Sequence, residues 1–304
     1  MKKSILGSVY LFFAALIWGT AFVAQSLGSE GVESFTFNGV RCLVGALVLG
    51  GTSLVLRLLG QKTPDKKEYF RILKGGVLCG LLLFGAVNFQ QFAISAVDAA
   101  GNRASVGKVG FLTAMYIVMV PVIGMFRGRK TGAVIWISVA VTVVGAYLLA
   151  GAGDLGKIDL STVLSVLASL MFALQITAVD EYAGDCDCIR LSMVQFATCG
   201  VVSLACAFVF ETPSLSGIMS VKWAILYSGV MSSGIAYTLQ MVGQKHCPPQ
   251  LASLIMSLES VFCALSGWVI LGQTLSSREM LGCGLMLAAV LLTQLGGNNE
   301  EKKA

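Results

Sequence analysis

An all-α polytopic membrane protein, with ten transmembrane helices in two inverted five-helix repeats, is the fold class this sequence predicts. Three observations predict it. The 304 residues are 56% hydrophobic and only 12% charged, whereas a water-facing surface needs about a quarter of its residues charged. The apolar residues fall into ten stretches, each near the ~20 residues that cross a hydrocarbon layer. Ten spans divide into halves with an odd number each, so the second half enters the membrane with opposite polarity to the first.

The chain opens Met1-Lys2-Lys3, and the apolar run from Ile5 to about Gln25 is longer than a signal-peptide core and lacks a small-residue cleavage site, so it reads as the first span. The expected spans lie near 5–25, 35–58, 73–95, 104–126, 132–151, 159–180, 191–210, 222–243, 250–271 and 279–296. The connectors are short. The longest, Gly60–Arg71, carries Lys62, Pro64, Asp65, Lys66, Lys67 and Glu68 and reads as a solvated turn. The acidic connector with Asp180, Glu181, Asp185 and Asp187 reads as a solvated face. The repeats are expected over residues 1–151 and 152–304. Ala104–Leu149 and Pro249–Leu295 share a pattern of apolar span, glycine-bearing turn (Gly128, Gly272) and apolar span.

Lysines and arginines set the orientation. With the N-terminus cytoplasmic, inner ends and loops hold Lys2, Lys3, Arg57, Lys62, Lys66, Lys67, Arg71, Lys74, Arg127, Arg129, Lys130, Arg190, Lys245, Lys302 and Lys303, against Arg103, Lys157, Lys222 and Arg278 outside. Both termini are therefore expected inside the cytoplasmic membrane. The net charge of +5 is topological rather than a nucleic-acid footprint, because no basic face interleaved with aromatics exists.

Polar residues recur inside the spans at three- and four-residue spacing, which places them on one helix face. Asn88, Gln91 and Ser95 align in the third span, and Ser233, Tyr237, Gln240 and Gln244 in the eighth. Trp18, Phe22 and Gln25 make a mixed face in the first, as do Ser165, Ser169, Phe172 and Gln175 in the sixth. One such amide can simply bond a neighbouring helix. Four such faces point to a central polar cavity bordered by spans one, three, six and eight and by parts of four and nine. Glycines at Gly76-x3-Gly80 and Gly282-x-Gly284 permit close helix contact.

Three ionisable groups lie within spans. Glu259, in Pro248–Leu271, sits ~15 Å along a helix from Pro249, half of a ~30 Å hydrocarbon layer. An acid at that depth costs about 2.5–3.5 kcal/mol on insertion scales, so a polar cavity or a protonated side chain is expected, and a coupling or gating role for Glu259. Lys108 either snorkels outward or faces the cavity, binding a substrate carboxylate or pairing with Glu259 or a polar neighbour; it is a cavity candidate. Arg41 poses the same choice on span two and is read as a structural charge.

The nine cysteines are mostly in spans, where they act as small hydrophobes. Cys186-Asp187-Cys188 and His246-Cys247 lack zinc-ligand spacing, so neither metal nor cofactor is expected. No Gly-x4-Gly-Lys-Ser/Thr loop is present, which excludes direct use of ATP by this chain.

These residues together resemble the EamA family of the drug/metabolite transporter superfamily. The resemblance is carried by ALIWGTAFVA (Ala15–Ala24), FTFNGVRCLVGALVL (Phe35–Leu49), GKVGFLTAMYIVMVPVIG (Gly107–Gly124) and above all the block Tyr227–Leu292, with its Gln-Lys, its Leu-Glu in span nine and its Gly-Gln-Thr turn. It implies ten spans in two repeats, cytoplasmic termini, and export or uptake of small metabolites such as amino acids. Family members often carry Glu-Pro in span nine; Glu259-Ser260 departs from this and puts the expected kink in question.

The expected function is thus a transporter moving a small metabolite, an amino acid or related solute, by alternating access. Trp18, Gln25, Asn88, Gln91, Lys108, Gln175, Tyr237 and Gln240 are the candidate cavity residues. A membrane-embedded lipid-modifying enzyme is the alternative, but His246 is the single histidine and makes poor material for acid–base pairs. A non-transporting membrane subunit is the third reading. The partners expected are a small-molecule metabolite, the lipid bilayer and, as an option, a second copy of the chain in a homodimer.

Overall fold

Short polar residues start the helices. The Asp65 carboxylate accepts from the Glu68 amide at 2.7 Å, Asp159 from Thr162 at 2.8 Å and Asp187 from Ile189 at 2.9 Å, each taking up a backbone donor that a first helical turn leaves free. Gly60 and Gly128, at φ 93° and 77°, reverse the chain in a left-handed conformation that other residues adopt only with strain. The computed structural model describes residues 2–96, 106–149, 159–271 and 276–300. Arg103, Lys157, Lys302, Lys303, the Gly272-Gln273-Thr274 turn and the expected repeat boundary at 151/152 lie outside the described residues.

All regular structure among the described residues is helical. The helices are α1 (Lys2–Gly28), α2 (Ser34–Leu58), α3 (Lys66–Ser95), α4 (Val106–Ala114), α5 (Tyr116–Phe126), α6 (Ala133–Leu149), α7 (Leu160–Ala183) and α8 (Cys188–Phe210). Then come α9 (Leu215–Ser220), α10 (Lys222–Tyr227), a π-helical segment (Ser228–Ala236), α11 (Tyr237–Gln244), α12 (Pro249–Met256), α13 (Glu259–Leu271) and α14 (Ser277–Glu300). Seven stretches are long and apolar enough to cross a membrane: Ile5–Gly28, Ser34–Leu58, Lys66–Ser95, Lys108–Phe126, Leu160–Ala183, Cys188–Phe210 and Pro249–Ile270; Ala133–Leu148 is a shorter apolar helix. The eighth expected span runs continuously through α10, the π-helical segment and α11.

Polarity is inverted relative to a soluble protein. Leu47, Phe208, Val209, Phe210, Trp223 and Val269 face outward, while Asn38, Gln91, Gln175, Gln195 and Ser203 are fully buried. Such an exterior suits lipid, where apolar side chains need no partner and each polar group must find one inside.

The helices pack mainly across the two halves. α2 lies along α8, α6 along α14, α3 against α7 and α8, and α1 against α13, α11 and the π-helical segment; α4 and α5 meet α7, and α2 meets the π-helical segment. Exchanging each helix of one half for its counterpart in the other maps these pairs onto themselves, as a two-fold relation between halves requires. The closest approaches use glycine. A Cβ on Gly145 of α6 would come within 2.8 Å of the Gly282 carbonyl of α14, and one on Gly229 within 2.7 Å of Val44 and 2.9 Å of the Arg41 carbonyl.

Two membrane-length segments break near their middles, α4/α5 at Met115 and α12/α13 at Ser257-Leu258. The second break needs no proline. Leu258 and Ser260 amides reach back three residues, at 3.2 and 3.1 Å, a tighter turn than the α-helix, while the Ser257 hydroxyl donates to the Leu254 carbonyl at 2.7 Å. The interruption that the missing Glu-Pro put in question is therefore present. Pro121 lies inside α5 instead.

Candidate functional site

A small cavity, with about 30 Å³ of open space, lies where these elements converge, lined by aromatic side chains and a few polar groups in the manner of small-molecule sites. Its aromatic wall comes from α1, α5, α7 and α11. Trp18 and Tyr237 meet edge-on at 4.7 Å, Phe196 supports Tyr237 at 5.1 Å from behind, and Tyr116 lies 6.4 Å from Phe172. Rigid rings of this kind offer large apolar area at low conformational cost.

Amides form the floor. Gln175 donates to Gln195 at 3.1 Å; Gln240 donates to Gln175 at 3.2 Å and to Gln244 at 3.0 Å; Gln244 donates to the Ile176 carbonyl at 3.0 Å. The chain is directional and ties α7, α8 and α11 together. Among the described residues it leaves the Gln240 Oε1 without a partner, and the same holds for Gln25 Oε1 and Trp18 Nε1, all on cavity-lining residues. A buried polar group without a partner is costly, by about 1–3 kcal/mol. Three around one cavity mark a place built to be filled by something polar.

Two charged side chains complete the wall. Glu259 begins α13 just past the helix break and accepts from the Tyr116 hydroxyl, which begins α5 just past the other break, at 3.2 Å. Arg41 is 2% exposed. Its Nε donates to Asn38 Oδ1 at 2.7 Å; Asn38 in turn donates to the Val87 carbonyl and to Asn88 Oδ1, both at 3.0 Å, and Asn88 donates to Ser203 at 3.0 Å. Among the described residues neither Arg41 nor Glu259 joins an ion pair.

Of the residues expected from sequence, Trp18, Gln25, Gln175, Tyr237, Gln240 and Glu259 line the cavity. Asn88, Gln91 and Lys108 do not. Asn88 stands behind Arg41 as the middle of the relay just described, and Gln91 donates to the Gln25 carbonyl at 3.2 Å. Lys108 is placed elsewhere for an electrostatic reason: its Nζ lies 2.9 Å from Asp159 Oδ2, at the start of α7. That contact, with the Thr162 hydroxyl and amide, holds the Asp159 carboxyl down at about 2. Lys108 thus tethers α4 to α7 rather than facing Glu259. Arg41, read as a structural charge, is both tethered to Asn38 and on the cavity wall. The acidic connector is likewise more than a solvated face, since Arg71–Asp185 at 2.9 Å, Arg127–Glu181 at 3.4 Å and Arg129–Asp180 at 2.6 Å bind it to neighbouring elements.

Gln90, Tyr116 and Ser232 also line the cavity and were not singled out from sequence. Gln90 sits beside the chosen stripe of α3 but on the adjoining face. Tyr116 follows a break that no proline or glycine announces. Ser232 belongs to the π-helical segment, whose wider turn shifts the face that a regular helical period assigns. An apolar cluster including Leu11, Ile117, Val120, Leu251, Ile255 and Met256 packs α1, α5 and α12 together beside the cavity, which Met256 also lines. Lys245, after α11, donates to the Cys186 carbonyl at 2.8 Å. Among the described residues no cluster of metal-ligating side chains is present.

Known proteins resemble this chain throughout its length. The model of the EamA-like transporter family matches twice, over residues 5–151 and 160–295. An uncharacterized transporter of Archaeoglobus fulgidus is 25% identical over 96% of this chain and 87% of its own. The uncharacterized inner membrane transporter YedA of Escherichia coli is 26% identical over 94% and 90%. The threonine/homoserine exporter RhtA of E. coli is 24% identical over 59% of this chain and 60% of its own. A solved crystal structure superimposes with a TM-score of 0.77 at 18% identity, covering 97% of this chain and 98% of that one, a likeness of fold.

Proposed function

Because the chain belongs to the EamA-like transporter family and is a multi-pass membrane transporter, we propose that it moves a small metabolite, an amino acid or related solute, across the cytoplasmic membrane by alternating access. In this reading ten spans form two inverted halves, residues 1–151 and 152–304, with both termini cytoplasmic. The observation that carries it is the polar cavity between the halves, with Trp18 Nε1, Gln25 Oε1 and Gln240 Oε1 buried and unpartnered around it.

The apolar cluster and the ion pairs of the acidic connector support a conformation closed toward the cytoplasm. Opening there requires Leu11 and Ile117, from one half, to part from Leu251 and Ile255 of the other. The Tyr116–Glu259 hydrogen bond bridges the halves at the level of both helix breaks. Glu259 acts in coupling or gating in this reading: a proton or a solute ammonium taken up by its carboxylate changes the link to Tyr116, and so the restraint between halves. RhtA, by its name, exports threonine and homoserine, which supports amino-acid chemistry for the cargo.

Purified protein in liposomes tests the reading. Flux of a chemically unchanged amino acid supports it; formation of a new product favours the lipid-modifying enzyme, and neither flux nor product favours a non-transporting subunit.

A further inference from the structure

Arg41 is the one cation on the cavity wall among the described residues. It is 2% exposed; among the described residues it joins no ion pair and its one hydrogen bond runs from Nε to Asn38, with the Phe37 ring 5.8 Å from its Cζ. The Nη1 and Nη2 groups make no hydrogen bond among the described residues. A guanidinium inside a membrane bundle without an anion is costly, and a purely structural tether has no need of one. The tether used here also spends only the Nε edge. Asn38 is itself fixed by the Val87 carbonyl and Asn88, and Asn88 by Phe84 and Ser203, so the guanidinium plane is set before anything binds. Such preorganisation lowers the cost of capturing an anion.

The chemistry of the other walls selects which anion. The guanidinium edge matches two carboxylate oxygens in a bidentate pair. Around it stand the acceptors Gln25 Oε1, Gln240 Oε1 and the Glu259 carboxylate, with one unpartnered donor, Trp18 Nε1. The three acceptors suit an ammonium, and the Glu259 carboxylate would repel a dianion such as a phosphate monoester. We propose that Arg41 is the specificity-determining residue of this cavity, taking the carboxylate of a small zwitterion through its Nη groups while Asn38 and Asn88 act as positioning residues. The inference rests on the transporter reading and narrows it.

The test uses full-length protein in nanodiscs and the proteinogenic α-amino acids, each with its methyl ester and its decarboxylated amine, titrated by tryptophan fluorescence with Trp18 in the cavity as reporter. The wild type should bind at least one amino acid about 30-fold more tightly than its ester and amine, the size of one charge-assisted pair. Arg41→Gln should remove that preference, bringing the acid to the ester's affinity while the ester changes by less than about 3-fold. Arg41→Lys, which keeps charge but not the fork, should fall between. If Arg41→Gln does not fold, Asn38→Ala serves: an acid-selective loss supports the inference, and an equal loss for acid and ester overturns it. Retained acid preference in Arg41→Gln, or no amino acid binding to the wild type, also overturns it. Liposome flux separates the two claims, since transport of uncharged solutes leaves the transporter reading standing without this anchor, whereas no transport of any solute removes both.

Discussion

Glu259→Gln isolates charge from shape. The amide is nearly isosteric, and its Oε1 can still accept from the Tyr116 hydroxyl at 3.2 Å, so packing around the helix break is kept. What disappears is the ionisable group. Glu259 is 7% exposed and lies ~15 Å along the segment from Pro249, where an ionised acid costs about 2.5–3.5 kcal/mol on insertion scales. Stability of the variant should therefore equal or exceed that of the wild type, read as the thermal unfolding midpoint in detergent. Transport should move the other way. A hydrogen bond to a charged acceptor contributes ~1.5–3 kcal/mol; 3.2 Å places this one at the lower end, so losing its charged form should slow flux about tenfold. The assay is counterflow of a labelled amino acid in proteoliposomes from about pH 5 to about pH 9, and the variant's profile should be flat where the wild type's is not. Unchanged flux and an unchanged pH profile would remove Glu259 from the mechanism. A fall in flux matched by a fall in stability would make it a packing residue.

Two further perturbations address the frame around the site. Gly145→Ala places a methyl 2.8 Å from the Gly282 carbonyl, which backbone cannot yield easily, and should destabilise the α6–α14 contact by about 1–3 kcal/mol, measured as a lowered unfolding midpoint with ligand affinity unchanged. Asp159→Asn keeps a capping side chain at the start of α7 but removes the charge facing Lys108. The Asp159 value in the folded protein, about 2, is below the ~3.9 of an unfolded chain, so its stabilisation is present above about pH 4 and lost as pH falls toward 2. Its side chain is 40% exposed and solvent screens the pair, so the wild type should exceed the variant by less than ~1 kcal/mol at neutral pH. That gap should narrow as pH falls below about 4 and as salt rises. A gap that persists unaltered would mean the ion pair does not tether α4 to α7.

Fold class was readable because it depends on quantities summed over many residues: apolar run length, the clustering of lysine and arginine, and the scarcity of charge. The polar faces of α1, α7 and α11 were readable for the same reason, since Trp18/Gln25 and Tyr237/Gln240 repeat at helical spacing. The α3 face was less so. Asn88, Gln90 and Gln91 are near neighbours in sequence, and only packing against α1 and α2 decides that Gln90 enters the cavity while Asn88 turns to Asn38. For Lys108 the sequence offers depth in a span as a guide, and depth alone points to the cavity. Its partner Asp159 lies 51 residues away, at the N-cap of α7, and no periodicity reveals that the two helix ends meet. The break at Ser257-Leu258 escaped for a local reason, as serine hydroxyls and a tighter turn replace the proline by which such breaks are usually recognised.

If the polar cavity between the halves is the solute's path, a bulky side chain that fills it should block transport. Ser232 is 3% exposed and lines the cavity, whereas Val269 is 76% exposed on the lipid-facing surface. Labelled amino-acid flux should be measured in liposomes carrying the wild type, Ser232→Trp or Val269→Trp, each confirmed monodisperse beforehand. Ser232→Trp should abolish flux and Val269→Trp should leave it near the wild-type rate. Full flux through Ser232→Trp would contradict a path through this cavity.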